Sequence, residues 1–218
     1  MKIIAFGDIH EHTKNISNIK GLGNADYVVV TGDITNYGGK KKAKKILDLI
    51  NSCNSNIYAQ YGNLDKKEVN DYLDELGINL HANGFVQQGI GIFGVGGSNP
   101  TPFNTPTEFS ERQIENFLQK GYEKVKQVPV NIMVSHAPPI NTKLDIVSGT
   151  THVGSSSVRK FIETFQPNIC LTGHIHESAG IDQIGNTTIL NPGMLKNGGY
   201  IEVTINDGNV TGELKKIR

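Results

Sequence analysis

Short runs of apolar, mostly β-branched residues recur along the 218-residue chain, and most of them end at glycine or at polar turn residues. Runs of this kind are typical of buried strands. They predict strands over 2–7, 26–31, 56–60, 130–135 and 168–172. The segments between them predict helices over 13–21, 40–52, 66–76, 110–126 and 154–165. The helix over 40–52 is typical, since Ala43, Ile46, Leu47 and Ile50 recur at helical spacing.

The remaining segments predict turns and short antiparallel strands. Residues 84–96 predict a hairpin that turns at Gly89, and the three prolines within 97–108 indicate an irregular loop. The tail over 179–217 predicts an antiparallel meander, in which Asp207-Gly208 forms a tight turn. No repeat or linker divides the sequence, so an α/β fold in one domain over 1–218 is expected.

Composition narrows the class of protein. Apolar residues make up 37% and charged residues 19%, and Lys+Arg and Asp+Glu both number 21, so no overall charge favours nucleic acid or an acidic membrane. Cys53 and Cys170 have no C-x-x-C spacing and are expected to be reduced thiols. The first apolar run is too short for a signal peptide, and no run has transmembrane length. We therefore expect a cytoplasmic protein with no membrane partner.

Five polar clusters follow the predicted strands. They are Asp8-Ile9-His10, Gly32-Asp33, Gly62-Asn63-Leu64-Asp65, Ser135-His136 and Gly173-His174-Ile175-His176. Open α/β sheets place their binding crevices at the carboxyl ends of their strands. Asp, His and Asn that converge at such an edge are suitable ligands for divalent metals. The pattern predicts a metal-dependent hydrolase.

The order and spacing of these clusters resemble those of the calcineurin-like metallophosphoesterase superfamily, from Met1 to about Ile205. The family pattern is Asp-x-His, Gly-Asp, Gly-Asn-x-Asp or Gly-Asn-His, a lone His, and Gly-His-x-His. Five blocks in the same order form a far more specific signal than any one of them. The resemblance implies a four-layer α-β-β-α sandwich with two mixed sheets.

The resemblance also implies a ligand set for two divalent cations, with manganese preferred and iron, zinc, nickel or cobalt as alternatives. One cation would be held by Asp8, His10 and His176, the other by Asn63, His136 and His174, with Asp33 as the bridge. A bridging carboxylate lets two dications approach to about 3.5–4 Å, where a bridging hydroxide can attack phosphorus. Asp33, Asn63 and His136 are thus also expected to be catalytic. With two dications, two carboxylates and the hydroxide, the site would carry a net charge of about +1. This charge favours phosphodiesters, which carry one negative charge, over phosphomonoesters.

One position departs from the pattern of the phosphoprotein-phosphatase branch. That branch has a His after the Asn, where it is proposed to assist the leaving group, whereas this chain has Leu64. A leucine cannot donate a proton, so hydrolysis of esters with poor leaving groups is expected to be inefficient. His12 and His152 are the candidate replacements, in that order, and His81 is interpreted as structural.

The expected partner is a small phosphate ester, and a nucleotide is one candidate because Tyr37 and Phe103 could stack on a base. The loop from Ser98 to Glu108 is expected to form a wall of the substrate site. The lysines within 40–45 are interpreted as the solvated face of a helix, and nucleic acid is not an expected partner. Two other functions remain open: a non-catalytic interaction module of the same fold, like a retromer subunit, and a DNA nuclease. The sequence predicts no oligomeric state.

Overall fold

The computed structural model describes residues 1–217 as an alternation of strands and helices followed by two hairpins. The strands are β1 (Lys2–Phe6), β2 (Tyr27–Val30), β3 (Ile57–Ala59), β4 (Asn83–Gln87), β5 (Ile90–Val95), β6 (Val130–Ser135), β7 (Ile146–Val147), β8 (Thr151–His152), β9 (Ile169–Leu171), β10 (Gly180–Ile184), β11 (Thr187–Asn191), β12 (Gly199–Asn206) and β13 (Asn209–Lys216). The helices are α1 (Lys40–Cys53), α2 (Lys67–Glu75), α3 (Glu111–Glu123) and α4 (Ser156–Phe165).

Two mixed sheets form the centre of the molecule. The first has the order β13-β12-β1-β2-β3, in which β1, β2 and β3 are parallel and the other pairings are antiparallel. The second has the order β10-β11-β9-β6-β5-β4, with β5, β6, β9 and β11 parallel. Strands β7 and β8 pair separately as a small hairpin.

Three apolar clusters separate four layers. The two sheets face each other through residues such as Ile3 and Val203 from the first and Ile132 from the second. The outer face of the first sheet packs against α1 and α2, whereas the outer face of the second packs against α3 and α4. The predicted α-β-β-α sandwich is therefore confirmed.

Helix α1 shows how sequence pattern and packing agree. Its lysines at 40–42, 44 and 45 are exposed, while Ala43, Ile46, Leu47 and Ile50 are buried against the first sheet. The interpretation of the lysine run as a solvated helix face is confirmed.

The short helix predicted over 13–21 is a 3-10 helix over Thr13–Asn18, and a second 3-10 helix follows at Leu22–Asn24. One prediction about secondary structure is wrong. The tail is not one meander, because β10 and β11 join the second sheet while β12 and β13 join the first. In addition, β11 is parallel to β9. The alternation of apolar and polar residues in a short strand specifies which face is buried, but it does not determine which strand pairs with it.

The parallel strands determine where the polar clusters meet. Strands β1, β2 and β3 of the first sheet, and β6 and β9 of the second, each end at one of the five clusters or within three residues before it. All five clusters therefore follow the carboxyl ends of parallel strands, as predicted, and they come together at one edge of the sandwich.

Candidate metal centre

The loops that carry the polar clusters have unusual backbone geometry. Asp8, His10, Asp33 and His174 have φ of 48°, 47°, 48° and 69°, in the left-handed region that residues other than glycine seldom adopt. Such strain persists only where the surroundings impose it, and it concentrates at functional sites. The strained backbone turns these side chains toward one point at the sheet edge.

One group of potential ligands consists of Asp8, His10 and His176, whose ligand atoms all lie within 4.8 Å of one another. His176 Nε2 lies 3.1 Å from His10 Nε2 and 3.1 Å from Asp8 Oδ1. His10 Nε2 lies 3.8 Å from Asp8 Oδ1. Two imidazole nitrogens and a carboxylate oxygen that converge in this way form a donor set suited to a divalent cation.

The second group centres on Asp33 and His136. His136 Nε2 lies 3.4 Å from Asp33 Oδ2 and 3.1 Å from Asn63 Oδ1. Asp33 Oδ2 also lies 3.8 Å from His10 Nε2, so this oxygen stands between the two groups. The ligand atoms of Asp8, Asp33 and His136 also lie within 4.8 Å of one another. Asp8 therefore contacts both groups, as Asp33 does.

His174 is close to the second group without belonging to either set of mutually near ligand atoms within residues 1–217. Its ring centroid lies 5.3 Å from that of His136. Its backbone N–H lies 3.2 Å from Asp8 Oδ1 and 3.1 Å from Asp8 Oδ2. The peptide of His174 therefore orients Asp8 while its ring faces His136.

The orientations of His136 and Asn63 are fixed by their other hydrogen bonds. His136 Nδ1 lies 3.1 Å from the carbonyl oxygen of Thr31, which can only accept, so Nδ1 carries a proton and donates. Glu108 accepts the hydroxyl proton of Thr105, whose oxygen then accepts from Asn63 Nδ2 at 3.0 Å. Asn63 Oδ1 is consequently turned toward His136. Three atoms that can donate electron pairs, His136 Nε2, Asn63 Oδ1 and Asp33 Oδ2, thus face one another.

The electrostatics follow from this crowding. Burial disfavours the charged form of both Asp33 and His136, but their mutual attraction and hydrogen bond dominate. The pKa of the Asp33 carboxyl falls to about 2, and that of the His136 imidazole rises to about 9. At His174, burial and the nearby His136 lower the pKa to about 4. Without a metal, the negative charge of Asp33 is balanced only if His136 is protonated. A bound divalent cation would supply the positive charge instead.

Glycines allow the loops to approach this closely. A Cβ at Gly62 would lie 2.1 Å from Asp33 Oδ1, and one at Gly32, where φ is 120°, would lie 2.5 Å from His136 Nδ1. Both distances are far below van der Waals contact, so a side chain at either position would displace a residue of the site. The donor set and its tight packing fit divalent cations.

Comparison with known proteins agrees with this geometry. The family model described as calcineurin-like phosphoesterase matches residues 1–178. The chain belongs to the calcineurin-like phosphoesterase family. It is therefore a metal-dependent phosphoesterase in its general class.

Proteins similar to this phosphoesterase in sequence or in fold come from several organisms. An uncharacterised protein of Methanocaldococcus jannaschii is 42% identical over 198 residues, which cover 88% of each chain. A Thermus thermophilus crystal structure has a TM-score of 0.76 at 18% identity, covering 100% of this chain and 99% of that one. A structure described as a dimetal phosphatase from Danio rerio has a TM-score of 0.67 at 10% identity, covering 100% and 96%. At these identities, the two structures show a shared fold.

A cavity of about 880 Å³ opens above the site of this phosphoesterase. Four of the predicted ligands, Asp33, Asn63, His174 and His176, line it. The other three, Asp8, His10 and His136, are buried beneath. The structure therefore places four of the seven predicted ligands in the lining of this cavity and the other three in the layer beneath it.

The two candidate proton donors are placed differently. His152, on β8, lines the cavity, and its Nδ1 lies 2.7 Å from Asp145 Oδ1. Asp145 is fully buried and also accepts from the backbone N–H groups of Thr142 and Gly154, at 2.8 and 3.0 Å. His12 is exposed before a 3-10 helix and is not among the residues that line the cavity.

Sequence reasoning missed the role of Asp65. This fully buried carboxylate accepts from the backbone N–H groups of Ile34, Thr35 and Gly62 and from the Thr35 hydroxyl, at 2.7–3.0 Å. Burial and the nearby Asp33 raise its pKa to about 7, while these donors act in the opposite direction. Asp65 ties the loop of Asp33 to the loop of Asn63. The Gly-Asn-x-Asp spacing was the signal that could have identified it.

Proposed function

We propose that this phosphoesterase hydrolyses phosphodiesters at a dinuclear metal site. The observation that carries the proposal is the convergence of His136 Nε2, Asn63 Oδ1 and Asp33 Oδ2, with His10 Nε2 3.8 Å away on the other side of the same Asp33 oxygen. Bound dications would supply positive charge for the phosphoryl group and lower the pKa of water toward about 7. Manganese is the preferred cation, with iron, zinc, nickel or cobalt as alternatives.

The proposed ligands divide into two sets joined by one carboxylate. They are Asp8, His10 and His176 for one cation, and Asn63, His136 and His174 for the other, with Asp33 shared. The backbone N–H of Leu64 holds Asp33 Oδ1 at 2.8 Å, which leaves Oδ2 for the space between the sets. Asp33, Asn63 and His136 then act on substrate by fixing the positions of the cations and of the phosphoryl group.

Charge supports a preference for diesters. Two dications, the carboxylates of Asp8 and Asp33 and one hydroxide would leave a net charge of about +1, which the single negative charge of a diester matches better than a monoester dianion. No lysine or arginine is among the residues that line the cavity within the described chain, so the protein adds no cationic side chain for a second charge. The same feature disfavours a nuclease, which needs cationic groups along its substrate backbone.

His152 is the proton donor for the leaving group that the geometry favours. Asp145 holds its Nδ1, so Nε2 is the nitrogen left to face the cavity, and a carboxylate fixes the orientation of the imidazole. His12 remains the alternative that the sequence ranked first. The reducing cytoplasm is the proposed compartment, in keeping with the unpaired thiols of Cys53 and Cys170.

The test begins with metal-free protein restored singly with Mn, Ni, Zn or Mg. Each form is assayed with bis(4-nitrophenyl) phosphate and 4-nitrophenyl phosphate, with Asp33→Asn as the inactive control. We expect hydrolysis of both esters, a higher kcat/KM for the diester, and no activity without metal. Metal binding with no hydrolysis of any ester would support the interaction module instead. Selective cleavage of long single- or double-stranded DNA would support the nuclease.

A further inference from the structure

The wall of the cavity above the metal centre differs from its floor. The floor holds carboxylates and imidazoles, whereas the wall is built largely from apolar side chains. These include Tyr37, Leu64, Pro100, Pro102, Phe103 and Ile140. The single charged side chain on the rim is acidic, Glu177, and the described lining residues include no lysine or arginine. A phosphoryl group on the floor would therefore place its ester substituent against an uncharged, apolar surface.

Phe103 is the most exposed large apolar side chain in the described structure, with 77% of its surface accessible. It lies in the loop over 98–108, in which the Glu108 carboxylate forms internal hydrogen bonds. Glu108 accepts from the hydroxyl and backbone N–H groups of Thr101 and Thr105 at 2.6–3.1 Å. The exposed ring is thus presented by a loop whose ends are fixed, so little ordering is required when a ligand covers it.

The same loop is connected to the metal centre. Thr105 accepts from Asn63 Nδ2 at 3.0 Å, and the backbone N–H of Thr107 donates to the Asn63 carbonyl oxygen at 3.0 Å. A group that contacts Phe103 is therefore held by the loop that also orients a proposed ligand. This continuity makes the aromatic ring part of the phosphoesterase site rather than a separate surface.

Tyr37 provides a second exposed aromatic ring on the wall, with 52% of its surface accessible. Its φ of 53° lies in the left-handed region, and its backbone N–H donates to the Leu64 carbonyl oxygen at 3.0 Å. A bulky residue in this conformation is strained, and the strain is retained beside the metal ligands. The structure therefore holds the Tyr37 ring at the cavity at a cost in stability.

We propose that this wall is a subsite for a flat, uncharged aromatic ester group, so that the preferred substrate is a phosphodiester with one aromatic substituent beside its leaving group. The inference rests on the proposed phosphoesterase function and adds the substrate class. Phe103 and Tyr37 supply a surface on which an aromatic ester group can stack, and this stacking does not require the group to carry a charge. A further negative charge on the substituent meets no cationic side chain and approaches Glu177.

The first test measures binding without turnover. Calorimetry compares phenylphosphonate with methylphosphonate on Zn-loaded protein, in the wild type, in Phe103→Ala and in Phe165→Ala, which truncates an exposed phenylalanine outside this cavity. We expect the phenyl ligand to bind about tenfold more tightly than the methyl ligand to the wild type and Phe165→Ala, and only about threefold or less more tightly to Phe103→Ala, in which Tyr37 alone remains. Equal affinities of the two ligands for the wild type would overturn the proposal.

The second test separates this inference from the proposed function. Bis(4-nitrophenyl) phosphate and methyl 4-nitrophenyl phosphate release the same leaving group and differ in the remaining ester group. We expect the ratio of kcat/KM for the aryl diester to kcat/KM for the methyl diester to fall by about threefold or more from the wild type to Phe103→Ala, with the methyl diester unaffected. An unchanged ratio in Phe103→Ala would overturn the subsite and leave the enzyme intact. No hydrolysis with any metal would overturn the function, and the phosphonate affinities would still decide the subsite.

Discussion

The backbone N–H of Leu64 donates to Asp33 Oδ1 at 2.8 Å, and this bond fixes which oxygen of Asp33 faces the site. The other oxygen, Oδ2, lies 3.4 Å from His136 Nε2 and 3.8 Å from His10 Nε2. Leu64 therefore contributes its backbone to the proposed bridge although its side chain cannot donate a proton. The position that departs from the phosphoprotein-phosphatase pattern still organises the metal centre.

Asp33→Asn tests the role of Asp33 as the bridge. The amide keeps the shape of the side chain but removes the charge that lies between two proposed cations, so we expect phosphodiesterase activity to fall by at least about 10²-fold. The variant should remain folded, since the loop lies above the core. Asp48→Asn, a change at an exposed aspartate of α1, is the matched control and should retain full activity. Wild-type turnover in Asp33→Asn would show that the ligand assignment is wrong.

Asp65→Ala tests the buried carboxylate that joins two ligand loops. Removing it leaves three backbone N–H groups and a hydroxyl without their acceptor, so we expect the free energy of unfolding to fall by on the order of 2–4 kcal/mol. Urea denaturation measures the change, and Asp48→Ala on the surface should alter it by about 0.5 kcal/mol or less. A comparable loss in both variants would rule out a special structural role for Asp65.

The proton donor is tested through the leaving group. In His152→Ala, rates for aryl diesters with good leaving groups should change little, whereas alkyl esters should lose about 10²-fold. Asp145→Asn should produce the same steeper dependence on leaving-group pKa, because the amide orients His152 less well. His12→Ala should match the wild type under single-turnover conditions. A steeper dependence in His12→Ala alone would transfer the role to that residue.

His81 predicts a pH dependence of stability. Burial among Tyr61, Phe109 and Phe117 lowers the pKa of its imidazole from 6.5 to about 4, while the Gly96 N–H donates to Nδ1 at 3.1 Å. Below pH 6.5 His81 is protonated in the unfolded chain, whereas in the folded chain it stays neutral down to about pH 4. The free energy of unfolding therefore falls as the pH is lowered across this window.

The expected loss is on the order of 3 kcal/mol between pH 7 and pH 4. Urea unfolding at several pH values measures it, with His81→Phe as the comparison because the ring stays apolar and cannot titrate. Other acid-sensitive groups contribute to both proteins, so the difference between the two profiles isolates His81. Parallel profiles would contradict the assignment.

Much of the site was predictable because its chemistry follows the strands. An apolar run that ends in Asp-x-His or Gly-Asp specifies both a buried strand and the group at its carboxyl end, and parallel pairing then brings these groups together. The contact of His152 with Asp145 could not be predicted, because it depends on the small hairpin of β7 and β8 that brings two positions seven residues apart face to face. The topology of the tail was predicted wrongly for a related reason, since nothing in the local sequence of β11 or β12 specifies which sheet each strand joins.

The number of bound cations tests the central claim most directly. Protein reconstituted with manganese and freed of excess metal is analysed by inductively coupled plasma mass spectrometry, beside Asp33→Asn prepared in the same way. The proposed dinuclear site predicts two equivalents per chain in the wild type and a loss of both in the variant, because Asp33 Oδ2 faces His10 and His136 alike. A wild-type maximum of one equivalent or none under every reconstitution would contradict the account.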